Sequence, residues 1–138
     1  MAKKTETATV NYSAQIVESS RELSPKERVM YKDFGNARKL NEWAEECEAN
    51  GIRAIITEVQ DWAVIAVHNE GADNSDYNVY LVVDNEGTKY YTSSEAFFTR
   101  FKDIESEMKE SDESWGIEIN LVPSKKYSGK KALTCSLI

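Results

Sequence analysis

Histidine occurs once in this chain of 138 residues, at His68. Most transfer and hydrolysis chemistry needs a positioned base, a metal or a cofactor, so a single histidine leaves a narrow repertoire. Cysteine is almost as scarce. Cys47 and Cys135 are too few and too far apart for a disulfide framework and form no C-x-x-C pair. Both fall at apolar periodic positions, which predicts reduced, buried side chains rather than nucleophiles. With six glycines and two prolines the chain has neither G-x-G-x-x-G nor G-x-x-x-x-G-K, which excludes the glycine-rich phosphate cradles. No apolar run approaches the roughly 20 residues that cross a bilayer, and Met1-Ala2-Lys3-Lys4-Thr5-Glu6-Thr7 carries no apolar leader. A soluble, cytoplasmic protein without membrane partners is expected. Positive charge is also in deficit: 17 Lys and Arg against 24 Asp and Glu give a net charge of −7. That balance disfavours coating duplex DNA by general electrostatics, which needs cations over many phosphates.

What charge there is is segregated. Between Asp103 and Glu118 the acids Asp103, Glu105, Glu107, Glu110, Asp112, Glu113 and Glu118 stand against Lys109 alone. Immediately afterwards, Pro123-Ser124-Lys125-Lys126-Tyr127-Ser128-Gly129-Lys130-Lys131 and the closing Ala132 to Ile138 carry four lysines, one tyrosine and no acid. A basic island on an acidic background suggests a local face for an anionic ligand, and a lysine-rich hairpin turn kept soluble by its charges is the competing reading. The acids group on one helix face and its following loop, the pattern of a solvated surface rather than of a magnesium-binding active site. His68 with Asp73 and Asp76 is the one set resembling metal ligands, and polar loops collect such residues for turn reasons alone. No enzyme activity, resident metal or cofactor is expected.

Hydrophobic periodicity predicts an α+β domain with a mainly antiparallel sheet, in which 1–23 form a polar tail with a candidate edge strand and 24–138 a single domain. Val10, Tyr12, Ala14 and Ile16 alternate as that edge strand would. Ser24-Pro25-Lys26-Glu27 reads as a capping box opening a short helix to about Asp33, and Asn36 as the cap of a second helix carrying Leu40, Trp43, Ala44 and Cys47 before Asn50-Gly51. The runs Ile52 to Val59 and Trp62 to Val67 read as two strands of one central, two-sided sheet. Tyr77 to Val83 forms a third, hairpinned through Asp84-Asn85-Glu86-Gly87 to Thr88–Tyr91. Thr92-Ser93-Ser94-Glu95 reads as another capping box, before a helix whose Phe97, Phe101, Ile104 and Met108 share a face. Ile117, Ile119 and Leu121 begin a strand ended by Pro123, and Ala132 to Ile138 should pair with it.

Aromatics beside positive charge are the residues suited to a ligand. Lys89, Tyr90 and Tyr91 lie on the hairpin strand, Arg100 and Lys102 on the following helix, and Lys125, Lys126, Tyr127, Lys130 and Lys131 around the last turn. Single-stranded nucleic acid is held in these terms, with cations along the phosphates and aromatic faces under the bases. Adjacent tyrosines on a strand point to opposite faces, so at least one of Tyr90 and Tyr91 belongs to the core. Trp43 reads as core, while Trp62 and Trp115 lie near turns.

Three stretches together resemble a family of small bacteriophage proteins: Lys89-Tyr90-Tyr91-Thr92-Ser93-Ser94-Glu95-Ala96-Phe97-Phe98; Phe101-Lys102-Asp103-Ile104 with Glu107-Met108; and Pro123 to Lys130 with Leu133-Thr134-Cys135. Val67-His68-Asn69-Glu70 and Asp76-Tyr77 fit the same pattern, and the likeness runs from about Ser24 onward. Members are described as single-stranded DNA-binding proteins of phage replication or recombination modules. The resemblance therefore implies a non-enzymatic protein of the host-cell cytoplasm that binds single-stranded DNA, with an OB-like barrel or a general α+β sandwich as its architecture. Its site would comprise Lys89, Tyr90, Tyr91, Arg100, Lys125, Lys126, Tyr127, Lys130 and Lys131. Thr-Gly-Ser of the family is Thr92-Ser93-Ser94 here, which removes a glycine's backbone freedom, and Ser-Lys-Asn is Ser124-Lys125-Lys126, which adds positive charge. The rival expectation is an acidic phage protein that inhibits a host or defence protein by presenting residues 103–118 where that partner expects phosphates. Homo-oligomerisation is left open.

Overall fold

The apolar runs that dominate the middle of the chain form its longest strands. The computed structural model describes residues 12–69, 76–124 and 129–138. Strand β1 (Tyr12–Ser19) is followed by helix α1 (Pro25–Tyr31), a 3-10 turn (Phe34–Asn36), strand β2 (Ala37–Lys39), helix α2 (Leu40–Ala49) and strand β3 (Ala54–Ile56). Then come β4 (Val59–Asn69), β5 (Asp76–Asp84), β6 (Lys89–Thr92), helix α3 (Glu95–Met108), β7 (Ile117–Pro123) and β8 (Lys131–Leu137). A five-stranded sheet has the order β1-β4-β5-β6-β2, antiparallel except where β2 runs parallel to β6, and a three-stranded antiparallel sheet has the order β3-β7-β8. The fold is thus α+β with one mixed and one antiparallel sheet, and among the described residues no barrel closes, so the OB-like expectation is not met. Among the described residues no helix is long and apolar enough to cross a membrane.

Strands β4 and β5 are apolar on both faces because both faces are covered. Trp62, Val64, Tyr80 and Val82 join Leu40, Ala44, Phe97, Phe101 and the inner side chains of the small sheet in one core. Ala63, Ile65, Val67, Val79, Leu81 and Val83 point the other way and meet Leu23 and Tyr31, with Phe34 and Tyr91 at their margin. Each fully buried side chain of this size, Phe97 or Ile65 for example, contributes about 1.5–3 kcal/mol. The strand before residue 24 belongs to this assembly, since β1 pairs with β4 from Tyr12↔Asn69 to Ser19↔Ala63.

Local signals explain most element ends. Ser24 accepts from the Glu27 N–H while the Glu27 carboxylate accepts from the Ser24 N–H, the capping box expected for α1. Helix α2 stops at Gly51, whose φ of 67° suits a glycine. Three expectations are corrected. The second helix does not begin at Asn36: Asn36 ends a 3-10 turn that Asp33 caps at its start, and Ala37–Lys39 are taken by β6 as a parallel edge partner, so α2 opens only at Leu40. The apolar run after Ile52 does not join the sheet of Trp62–Val67; its Ala54–Ile56 pairs with β7 in the small sheet instead. The cap of α3 is Ser94, which accepts from the Phe97 N–H; Thr92 ends β6, its hydroxyl accepting from the Ser94 N–H and donating to Asn41.

Candidate nucleic-acid interface

The basic island sits on a hairpin. Strands β7 and β8 pair from Ile117↔Leu137 to Pro123↔Lys131, and the Ser124 N–H donates to the Lys130 carbonyl at 2.9 Å. Lys125, Lys126 and Tyr127 lie outside the described residues. Lys130 is exposed. Lys131 reaches helix α2, where its ammonium meets Glu48 Oε1 at 2.5 Å, and Glu45 borders the same recess as Gly129 and Lys130.

Arg100 approaches the far end of the same strand. Its Nε donates to the Cys135 carbonyl at 3.4 Å and its Nη1 to Asp103 Oδ2 at 3.1 Å. Cys135 is four residues from Lys131, about 13 Å along the strand. Arg100 is therefore within the reach of a short oligonucleotide lying on Lys130, although one carboxylate already offsets its charge.

Lys89 and Tyr90 do not reach the surface expected of them. Lys89 is 9% exposed, and its ammonium donates to the Met30 carbonyl at 2.5 Å and the Asp33 carbonyl at 2.7 Å. Its side of the sheet is covered by α1 and the turn after it. Tyr90, on the opposite side, is buried against Trp43 with ring centroids 5.0 Å apart, and burial together with the neighbouring Asp84 pushes its hydroxyl up to about 12. Tyr91 is half-buried and packs on Phe34 at 5.5 Å. A strand inside a sheet covered on both faces has no outward-facing tyrosine to offer.

The acidic segment ends where the hairpin's other end lies. Ile117 opens β7 and Pro123 closes it, so seven residues, about 20 Å, separate the acids' end from the lysines' end. Within the segment, Asp103 is held by Arg100, Glu105 by Lys102 at 2.9 Å, and Glu118 by Arg53 at 2.8 Å, whose guanidinium lowers the Glu118 carboxyl below its usual range. Lys102 also lies 3.8 Å above the Trp62 ring. Glu107, Glu110, Asp112 and Glu113 are exposed and form no ion pair with another described residue.

A second place where cations meet an aromatic went unread in the sequence. Ala37, Arg38, Lys39, Glu42, Trp43 and Glu46 line a groove of about 230 Å³ between the edge strand β2 and helix α2. The half-buried Trp43 ring has Tyr90 on one side and the Arg38 guanidinium 5.9 Å from its centroid. Arg38-Lys39, five and four residues before Trp43, was the available signal, hidden because Trp43 also fits the apolar face of α2.

Elsewhere, His68 Nδ1 and the Asp76 carboxylate share a hydrogen bond beside a shallow polar depression at the end of the large sheet. Asp73 lies outside the described residues. Among the described residues no three His, Cys, Asp or Glu side chains converge as a metal site would require. Both cysteines are buried and free, and burial pushes the Cys135 thiol up to about 12, so it is not a thiolate at neutral pH. No protein-family model, curated protein or solved structure matches the chain.

Proposed function

We propose that the protein is a non-enzymatic bacteriophage protein that binds single-stranded DNA during replication or recombination, through the β7–β8 hairpin and the lysines around its turn. The observation that carries this reading is the separation of charge. Lys130 and Lys131 stand at one end of the hairpin, with Glu48 and Glu45 of α2 beside them, and the acidic segment runs into the other end, so the basic end can meet phosphates although the whole chain is acidic. Lys130, with Lys125 and Lys126 just before it in sequence, supplies phosphate contacts; Lys131 and Arg100 contribute on exchanging Glu48 and Asp103 for phosphate. Tyr127 is the residue for stacking, since Tyr90 is core.

Binding of fluorescein-labelled single-stranded and duplex oligonucleotides tests this by anisotropy. Preference for single strands, reduced when Lys125, Lys126, Lys130 and Lys131 are all replaced by alanine, is the expected result; equal binding by the variant removes the hairpin from the site.

The carboxylates of Glu107, Glu110, Asp112 and Glu113 favour a second reading, in which this end docks on a cationic surface of a host or defence protein. Reversing those four charges would then abolish partner binding while the lysine replacements leave it unchanged.

A further inference from the structure

Helix α2 joins the hairpin to the groove beside Trp43. Its Glu48 holds Lys131 and its Glu45 borders Lys130, while Glu42, Trp43 and Glu46 line the groove. From Trp43 to Glu48 is five residues, a rise of about 7.5 Å with the two side chains on different faces of the helix. One nucleic-acid strand can touch both places by crossing the exposed face of α2 that carries Glu42, Glu45 and Glu46.

The groove's lining is chemically mixed. Arg38 and Lys39 are cations, Glu42 is 3.9 Å from Lys39, and Glu46 is exposed without an ion pair among the described residues. A bare phosphate would meet a carboxylate there as readily as a guanidinium. A nucleotide divides its chemistry differently: the phosphate suits Arg38, the base plane suits the ring of Trp43 backed by Tyr90, and an amino group on the base edge can donate to Glu46. Thymine has no exocyclic amino group and would leave that carboxylate without a donor.

We infer that the Arg38–Trp43–Glu46 groove is a base-binding subsite for one nucleotide of a single strand, selective for bases that carry an exocyclic amino group. It presupposes the single-strand reading above and extends it from phosphate contacts to base recognition. Arg38 moves aside from the ring or sandwiches the base against it, and Trp43 remains supported from behind by Tyr90.

The test compares anisotropy titrations of the full chain with short oligodeoxycytidylate and oligodeoxythymidylate at neutral pH. The wild type should favour oligodeoxycytidylate by about threefold, the scale of one modest net hydrogen bond. Glu46→Ala should erase that preference, Arg38→Ala should weaken binding about two- to fivefold, and Trp43→Ala should weaken it about tenfold. The alanine replacements of Lys125, Lys126, Lys130 and Lys131 should lower both affinities and leave their ratio unchanged. Because Trp43 also packs on Tyr90, its variant is first checked by circular dichroism; if it does not fold, the surface variants Arg38→Ala and Glu46→Ala decide. A wild type with no preference for oligodeoxycytidylate, or Arg38→Ala and Glu46→Ala that keep the wild-type affinities for both strands, overturns the subsite, while the hairpin reading stands if the lysine replacements still weaken binding. A wild type that binds neither oligonucleotide overturns both.

Discussion

Asp61 ties the N-terminal segment to the large sheet, and removing it should expose how that connection works. The carboxylate is 4% exposed and accepts from Ser20 Oγ at 3.0 Å, from Arg21 Nε and Nη2 at 3.1 Å each, and from the Tyr31 hydroxyl at 2.8 Å. In Asp61→Ala the Arg21 side chain, 45% exposed, turns to water and keeps Glu27, so its loss contributes about 0–1 kcal/mol. Tyr31 cannot do the same. It is 8% exposed, and an orphaned buried hydroxyl costs about 1–3 kcal/mol. With the lost Ser20 bond the total is about 2–4 kcal/mol, below the 3–5 kcal/mol typical of breaking a fully buried ion pair because Arg21 is half outside. For a domain of this size that shifts a urea midpoint down by about 1–2 M. The sign of a second substitution is sharper than this magnitude. Tyr31→Phe should destabilise the wild type by about 1 kcal/mol, since it removes a donor from Asp61, but should stabilise Asp61→Ala, since it removes the orphaned hydroxyl. A Tyr31→Phe effect of the same sign in both backgrounds, or an unchanged midpoint in Asp61→Ala, would refute this account of the network.

Gly116→Ala should be among the most damaging small substitutions, because a Cβ there would stand 2.3 Å from the Ile56 carbonyl oxygen and 2.4 Å from that of Thr57; thermal melting should show a loss of about 2 kcal/mol or more. Alkali should unfold the protein early. Cys135 rises from 9.0 to about 12 and Tyr31 and Tyr90 from 10.0 to about 12, chiefly through burial. Folding favours the protonated form of each, so stability is whole below pH 9, falls as pH rises towards 12, and Cys135→Ala should flatten the first part of that fall in a pH series of urea melts. Lys89→Ala should lower the melting temperature by stripping two backbone carbonyls of their donor, yet leave the salt dependence of DNA binding unchanged, which separates a packed lysine from a phosphate-binding one.

Elements whose signals are local were legible in the sequence. The Ser24–Glu27 box, the Asn50-Gly51 stop, the Asp84–Gly87 hairpin and the Phe97/Phe101/Ile104 stripe each contain within a few residues the physics that forms them. Long-range choices were not. Nothing in Ala37-Arg38-Lys39 announces a parallel edge strand, because its partner β6 lies fifty residues away and pairing decides the conformation. Ile55 and Val64 look alike as β-formers, yet one belongs to the small sheet and the other to the large. The site divided in the same way. The basic stretch was visible as composition, but whether Lys89 faces solvent or the carbonyls of Met30 and Asp33 depends on α1 crossing over the sheet, and the Arg38–Trp43 groove exists only because β2 and α2 meet there.

The salt dependence of single-strand affinity tests the central claim most directly. Each phosphate contact on a single strand adds about 0.7 to the slope of log affinity against log salt. If Lys125, Lys126, Lys130 and Lys131 are the phosphate contacts, their joint replacement by alanine should flatten the wild-type slope by about 3. Parallel lines for the two proteins, or a wild type that does not bind single strands even at low salt, would contradict it.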